Sequence, residues 1–412
     1  MGILAIFPLY ARHRHGAHCL HDRGKAPPHR RKRRGGGGKA QEARPRPDPR
    51  LGACLLAGAT WLTLALTATA EPLRIATYAA DLTRRGPGLL LRDIAKGDDP
   101  QIAAVSAVIA HAEADVLLLT NLDYDDKQEA LTALQETLAA AGAPYPHAFA
   151  DWPNAGLRTG MDMDGDGKVN TGRDTQGFGR FSGAGGMAVL SRHPLTLTHD
   201  FTPLLWRDLP GAGDLPALMP APAWQVQRLS SVNHWAIRVE APTPFTLLTL
   251  AATPPVFDGP EDRNGHRNAA ELALLHMYLD GQLNTPAPQG PVVIAGNLNL
   301  DAYDGDGRPN ALNALLQSGH IQDPAPSSQG GAAEADPTHK GPPALDTADF
   351  NDPPGNLRAD YVLPDATAKV LDAGVIWPAP DAQGSGPTLE QVQTASRHRL
   401  VWVEIELPAQ GQ

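Results

Sequence analysis

The densest run of chemistry-capable side chains in this 412-residue chain is Asp162-Met163-Asp164-Gly165-Asp166-Gly167-Lys168-Val169-Asn170. Carboxylates at every second position can converge on one hard cation, and the glycine after the third permits a sharp turn. The run matches the start of a D-x-D-x-D-G loop, so Asp162, Asp164 and Asp166 are predicted to hold Ca²⁺, with Val169 as the apolar anchor. The twelfth position of such a loop normally brings another acidic ligand. Here it is Arg173, with Asp174 one step late. The plainer alternative is an acidic, glycine-rich loop open to solvent. Asp301-Ala302-Tyr303-Asp304-Gly305-Asp306-Gly307 is a weaker echo with irregular spacing. No GxGxxG, P-loop, HExxH or GxSxG motif occurs.

Whatever positions these residues must fold within a chain of very uneven charge. Of 35 basic and 45 acidic residues, residues 1–50 hold 13 and 3, leaving 22 and 42 beyond them, a net of −20. A nucleic-acid surface needs a basic footprint, so the acidic body argues against nucleic acid as a partner. A small anionic or phosphorylated ligand held by a local arginine is compatible with it. Residues 1–50, with Arg30-Arg31-Lys32-Arg33-Arg34 before four glycines, read as a disordered basic extension. Residues 51–70 carry no charge, and the apolar run Leu51–Leu66 ends in Thr67-Ala68-Thr69-Ala70. That pattern reads as a signal peptide, which implies a secreted or periplasmic protein with no stable membrane anchor after cleavage. Both cysteines, Cys19 and Cys54, precede the cleavage point, so the mature chain would have no disulfide.

From residue 71 to 412 the pattern is that of one α/β domain. Apolar runs predict strands at Leu73–Tyr78, Asp115–Leu119, Met187–Ser191, His234–Val239, Phe245–Leu250, Pro291–Ala295, Ala359–Leu363 and Leu400–Ile405. Three- and four-residue apolar spacing predicts helices at Ile102–Ala112, Lys127–Ala141, Asn264–Asp280 and Asn310–Ser318. Long connections rich in Gly, Pro and Asp, over 150–186, 202–230 and 322–358, are where a site is expected.

Seven segments in order carry a resemblance: Arg74–Tyr78, Ala114–Leu119, Phe178-Gly179-Arg180-Phe181 with Gly186-Met187-Ala188-Val189-Leu190-Ser191-Arg192, Pro254–Gly265, Ala295-Gly296-Asn297-Leu298-Asn299, Arg358-Ala359-Asp360-Tyr361-Val362-Leu363-Pro364 and His398-Arg399-Leu400-Val401. Together they resemble a secreted bacterial branch of the endonuclease/exonuclease/phosphatase family. The resemblance implies a four-layer α/β sandwich, two mixed sheets face to face with helices outside. It also implies metal-dependent phosphoester hydrolysis. In that chemistry carboxylates hold Mg²⁺ or Mn²⁺, and a His–Asp pair and asparagines handle protons and phosphoryl charge.

Against that pattern the sequence departs at five places. Ala79 replaces the asparagine that ends the first strand. Asn121 stands where the metal-binding glutamate is expected, and Ala251 where a histidine is expected. Asn297 replaces the aspartate of G-D-x-N, and Arg397 the aspartate of S-D-H. Losing one general base or charge-stabilising group commonly costs about 10²–10⁴ in rate. The expectation is therefore a pseudoenzyme, impaired in hydrolysis, with His398, Asp360 and Asn299 as remnants and Arg267 and Asn268 shaping an anion pocket. Arg397 beside His398 predicts an imidazole with a depressed pKa, because like charges about 4 Å apart repel by about 4 kcal/mol at an effective dielectric near 20. The alternative is an active phosphoesterase using relocated carboxylates, Asp81, Asp123 and Asp360. Asp125 reads as structural, and His234 as a satisfied core histidine.

Overall fold

In the first strand Leu73 and Ile75 alternate with Ala76 and Tyr78, and both sets are buried, on opposite faces. A strand covered on both faces must be apolar on both, which is why these runs read as nearly continuous hydrophobic stretches. The computed structural model describes residues 71–215, 217–350 and 353–408. The predicted basic extension and signal peptide lie outside the described residues. Among the described residues no helix is long and apolar enough to cross a membrane.

The strands are β1 (Leu73–Leu82), β2 (Val116–Leu122), β3 (His147–Phe149), β4 (Gly186–Ser191), β5 (Leu195–Asp200), β6 (His234–Val239), β7 (Phe245–Ala251), β8 (Val292–Asn297), β9 (Ala348–Asp349), β10 (Asn356–Leu357), β11 (Asp360–Pro364), β12 (Lys369–Val375) and β13 (Val401–Glu406). They form a six-stranded sheet in the order β12-β13-β1-β2-β4-β3 and a five-stranded sheet in the order β11-β8-β7-β6-β5, with β9 and β10 as a small ribbon. Each large sheet is mixed: β1 runs parallel to β2 and β7 to β8, and the other neighbours are antiparallel.

Three apolar layers hold the molecule together. Ile75, Leu118, Val189 and Val403 of the first sheet meet Ile237, Leu247, Val293 and Val362 of the second. Outside the first sheet, Tyr78, Leu117 and Leu190 pack under α1 (Leu89–Lys96), α2 (Pro100–Ala112), α3 (Glu129–Ala140) and α8 (Leu389–Ala395). Outside the second, Leu248, Ile294 and Leu363 pack under α5 (Arg263–Leu279) and α6 (Asn310–Leu316). The short helices α4 (Ala221–Trp224) and α7 (Gln329–Ala333) lie in the long connections. This is the four-layer arrangement that the sequence predicts.

Helix starts follow local chemistry. Asp99 caps α2, accepting from the backbone N–H of Gln101 at 2.8 Å and Ile102 at 3.1 Å, with Pro100 in the first turn. Asp125 does the same for α3 through Glu129 N and Ala130 N, both at 2.9 Å, which accounts for this carboxylate structurally.

Candidate functional site

The two sheets bring their chemistry together at one end. In β8 and β11, Asn297 and Asp360 are direct cross-strand partners. In β1 and β2 the parallel ladder breaks between Ala79 and Leu82, and Asp81 and Asn121 adopt left-handed φ values of 49° and 56°. Such a bulge at a sheet end re-aims side chains, and Asp and Asn tolerate the left-handed region better than most residues. Asn299 shares it, at φ 50°.

A buried network forms the first half of the site. His398 Nδ1 donates to Asp360 Oδ2 at 2.7 Å. Thr347 Oγ1 donates to the same oxygen at 3.1 Å, and Asn297 Nδ2 donates to Asp360 Oδ1 at 2.9 Å. Thr347 Oγ1 in turn accepts from the N–H of Ala359 and Asp360, each at 2.9 Å. Ser396 fixes the loop that delivers the histidine, donating to Ala79 O at 2.6 Å and accepting from His398 N at 3.0 Å. The buried Arg399 braces the same loop, donating to Ser396 O at 2.7 Å and Arg397 O at 3.0 Å, with its guanidinium 4.3 Å over the Trp377 ring. Phe350 meets the His398 ring edge-on at 5.3 Å. Among the described residues His398 Nε2 has no hydrogen-bond partner, and the side chain is 4% exposed.

The electrostatics of that histidine reverse the expectation from sequence. Burial disfavours the imidazolium, but the charge and hydrogen bond of Asp360 outweigh it, Asp81 adds to them, and Arg397 opposes weakly. The net pKa is raised. The adjacent arginine does not prevail because its side chain is largely exposed and solvent screens its charge, whereas Asp360, 38 positions away in sequence, is buried and in contact.

The second half of the site is open. Asn121 Nδ2 donates to Asp81 Oδ1 at 3.2 Å. Arg397 reaches Asp81 Oδ2 with both its backbone N–H, at 3.3 Å, and its side-chain Nε, at 3.4 Å. The Arg397 side chain is 62% exposed, with its guanidinium 5.9 Å over the Phe350 ring. Three N–H donors therefore surround the one carboxylate left at the place expected of the metal. This donor set does not suit the family's divalent ion: two amides and a guanidinium replace the carboxylates that hard cations need. Among the described residues the one convergent trio of acidic side chains lies elsewhere.

That trio is Asp162, Asp164 and Asp166, whose ligand atoms lie within 4.8 Å of one another. Gly165 and Gly167, at φ 80° and 81°, make the turn that closes the loop. Asp162 accepts from Gly165 N at 2.7 Å and Gly167 N at 2.9 Å. Val169 is 52% exposed and anchors nothing, contrary to expectation. Asp174 is buried and ties the loop together through Met163 N at 3.0 Å and Thr171 N at 2.8 Å, so it does not face the trio.

Several other predicted residues have different jobs. Arg267 is buried in α5 and donates to the carbonyls of Leu229, Gln176, Arg228 and Ser230 at 2.6 to 3.1 Å. Asn268 donates to Thr253 O and Leu298 O, both at 2.8 Å. They brace loops from beneath and do not line an anion pocket, because this face of α5 turns into the protein. Asn299 lies at the sheet ends, with its amide on Ala252 O at 2.7 Å. Ala251 sits beside Asn297 in the ladder and offers no polar group. Asp123 is held by the N–H of Arg84 at 2.7 Å and Gly185 at 3.2 Å, and burial pushes its pKa up to about 6. It therefore serves the backbone of the neighbouring loops. His234 is buried with Nδ1 3.1 Å from Ser230 Oγ. Sequence reasoning missed Thr347 and Phe350, which sit in no recognisable motif and reach the site only through the β9–β10 ribbon.

The family model described as Endonuclease/Exonuclease/phosphatase family matches residues 89–398. No curated protein matches significantly. Among solved structures, an endonuclease/exonuclease/phosphatase from Beutenbergia cavernae is 18% identical, with 82% of this chain and 72% of that one covered and a TM-score of 0.48. Sphingomyelinase C from Streptomyces griseocarneus is 18% identical over 81% of this chain and 99% of that one, with a TM-score of 0.42. The mannosyl-6-phosphatase Bt3783 of Bacteroides thetaiotaomicron is 13% identical over 81% and 99%, with a TM-score of 0.41. With a family match spanning most of the folded region, the chain belongs to the endonuclease/exonuclease/phosphatase family.

Proposed function

We propose that this is an exported family member, impaired in phosphoester hydrolysis, whose cleft takes a phosphorylated or other small anionic ligand. The observation that carries the reading is the set of N–H donors from Asn121 and Arg397 on Asp81. A site so arranged offers a divalent ion little charge, and an ion there would face a guanidinium. Export is supported by the uncharged run of residues 51–70. The net of −20 beyond residue 50 disfavours a nucleic-acid partner. Ca²⁺ is assigned to Asp162, Asp164 and Asp166, whose ligand atoms lie close enough to share one ion.

Hydrolysis of bis-(p-nitrophenyl) phosphate in Mg²⁺, Mn²⁺ or Ca²⁺ tests the reading. Turnover is expected at least about 10³-fold below that of ordinary metal-dependent hydrolases. Ordinary turnover that vanishes in His398→Ala would defeat it. That outcome would favour the second reading, an active hydrolase, for which the intact His398–Asp360 pair speaks. The double substitution Asn121→Glu, Arg397→Asp separates the two further. An impaired relic gains Mn²⁺ affinity, and an enzyme using relocated carboxylates loses rate.

A further inference from the structure

We infer that Arg397 replaces the divalent ion as the fixed cation of the cleft, so that a phosphate-like oxyanion binds without metal and in competition with Asp81. The inference rests on the anion-binding reading above. Arg397 stands at the aspartate position of the family's S-D-H pattern, so a positive charge replaces a negative one there. Its one ionic partner is Asp81, at a long 3.4 Å through Nε. A solvent-exposed pair of this kind contributes little to stability, so an incoming anion can take over the guanidinium at small cost. Arginine presents a planar fork of donors that matches two oxygens of a phosphate, a geometry the Asp81 contact does not use.

The surroundings complete a binding surface. Phe350 lies 5.9 Å from the Arg397 guanidinium and 5.3 Å from the His398 ring, so one aromatic side chain borders both. With Nδ1 on Asp360, His398 Nε2 becomes a second donor when the imidazole is protonated. Other arginines near this end are already satisfied. Arg84 is paired with Asp93 at 3.0 Å and Asp99 at 3.4 Å, and Arg358 with Asp323 at 2.6 Å. Arg399 is buried on backbone carbonyls. Unlike these three, Arg397 is free to exchange its partner. Asp81 then acts as a built-in counter-anion, holding the arginine in place and setting a threshold that the ligand must exceed.

The test is calorimetric titration of the full chain with inorganic phosphate in EDTA, repeated with Mn²⁺. The inference expects binding in EDTA that Mn²⁺ does not strengthen. Arg397→Ala should weaken it about 10- to 100-fold, the range of a charge-assisted hydrogen-bonded contact. Arg397→Lys should fall between, and Asp81→Asn should tighten binding several-fold by removing the competitor. Because Arg397 is exposed, its variants keep the wild-type melting temperature, which certifies the fold. Binding that requires Mn²⁺, or that is equal in wild type and Arg397→Ala, overturns this inference and leaves the anion-binding reading standing. Absence of phosphate binding under both conditions overturns both.

Discussion

The two halves of the site hold their charges in opposite ways. On one side, His398, Asp360, Thr347 and Asn297 form a buried network in which every oxygen of the carboxylate has a donor. On the other, Asp81, Asn121 and Arg397 make long contacts of 3.2 to 3.4 Å around a half-open carboxylate. Burial explains the contrast. A buried charge pair cannot lose one member without leaving the other desolvated, whereas a solvent-exposed group can be exchanged at little cost to stability. The His398–Asp360 pair is therefore part of the core, and the Asp81 side tolerates exchange. Asn297 marks the boundary: its amide donates to Asp360, where a second carboxylate would repel it.

The sharpest way to break this comparison is to remove one member from each side. Asp360→Ala strands the buried His398 and leaves Thr347 and Asn297 without their acceptor. It should destabilise the fold by about 3–5 kcal/mol in denaturant titrations. A loss below about 1 kcal/mol would mean that the network is not part of the core.

The pH dependence of stability gives a smaller effect with two opposite signs. The folded His398 has a raised pKa, so it contributes stability that is complete below the ordinary histidine value and is lost as pH rises through the raised one. His234 is the reverse case, because burial pushes its pKa down to about 3. Its native form stays neutral while the unfolded chain takes up a proton, so stability is present above about pH 6.5 and is lost as pH falls toward 3. By pH 5 that loss is about 2 kcal/mol, from 1.36 kcal/mol per unit of pH. His234→Leu should flatten the acid limb and leave the alkaline limb unchanged. His398→Gln should do the opposite. Unchanged limbs in both variants would show that neither histidine titrates differently on folding.

The smallest effect belongs to the open side. Arg397→Ala should change stability by no more than about 0.5 kcal/mol, the range of exposed ion pairs. A loss comparable with that of Asp360→Ala would erase the distinction between the two halves.

Much of the fold was legible because the strands are buried on both faces and so announce themselves as short apolar runs. The eight predicted strands all occur, and the added ones are short or lie at sheet edges, where polar residues such as Thr196, Thr198 and Lys369 hide the pattern. Asp360 and His398 were legible because each sits inside a motif, and the fold brings them into contact. The site was not legible for Thr347, which reaches Asp360 from 13 positions away. It was misread for Arg267 and Asn268, whose residue types suit an anion but whose helix face is turned inward.

The sequence by itself determined an α/β chain of short buried strands and, through its resemblance to the family, the sandwich they form, because apolar runs and motif residues are local properties. Only the tertiary structure decided what the remaining charges do. The field at His398 is summed over Asp360, Asp81 and Arg397, which lie on separate elements and weigh by distance and burial. Proximity in the chain favoured Arg397. Proximity in space favours Asp360, and electrostatic energy follows space.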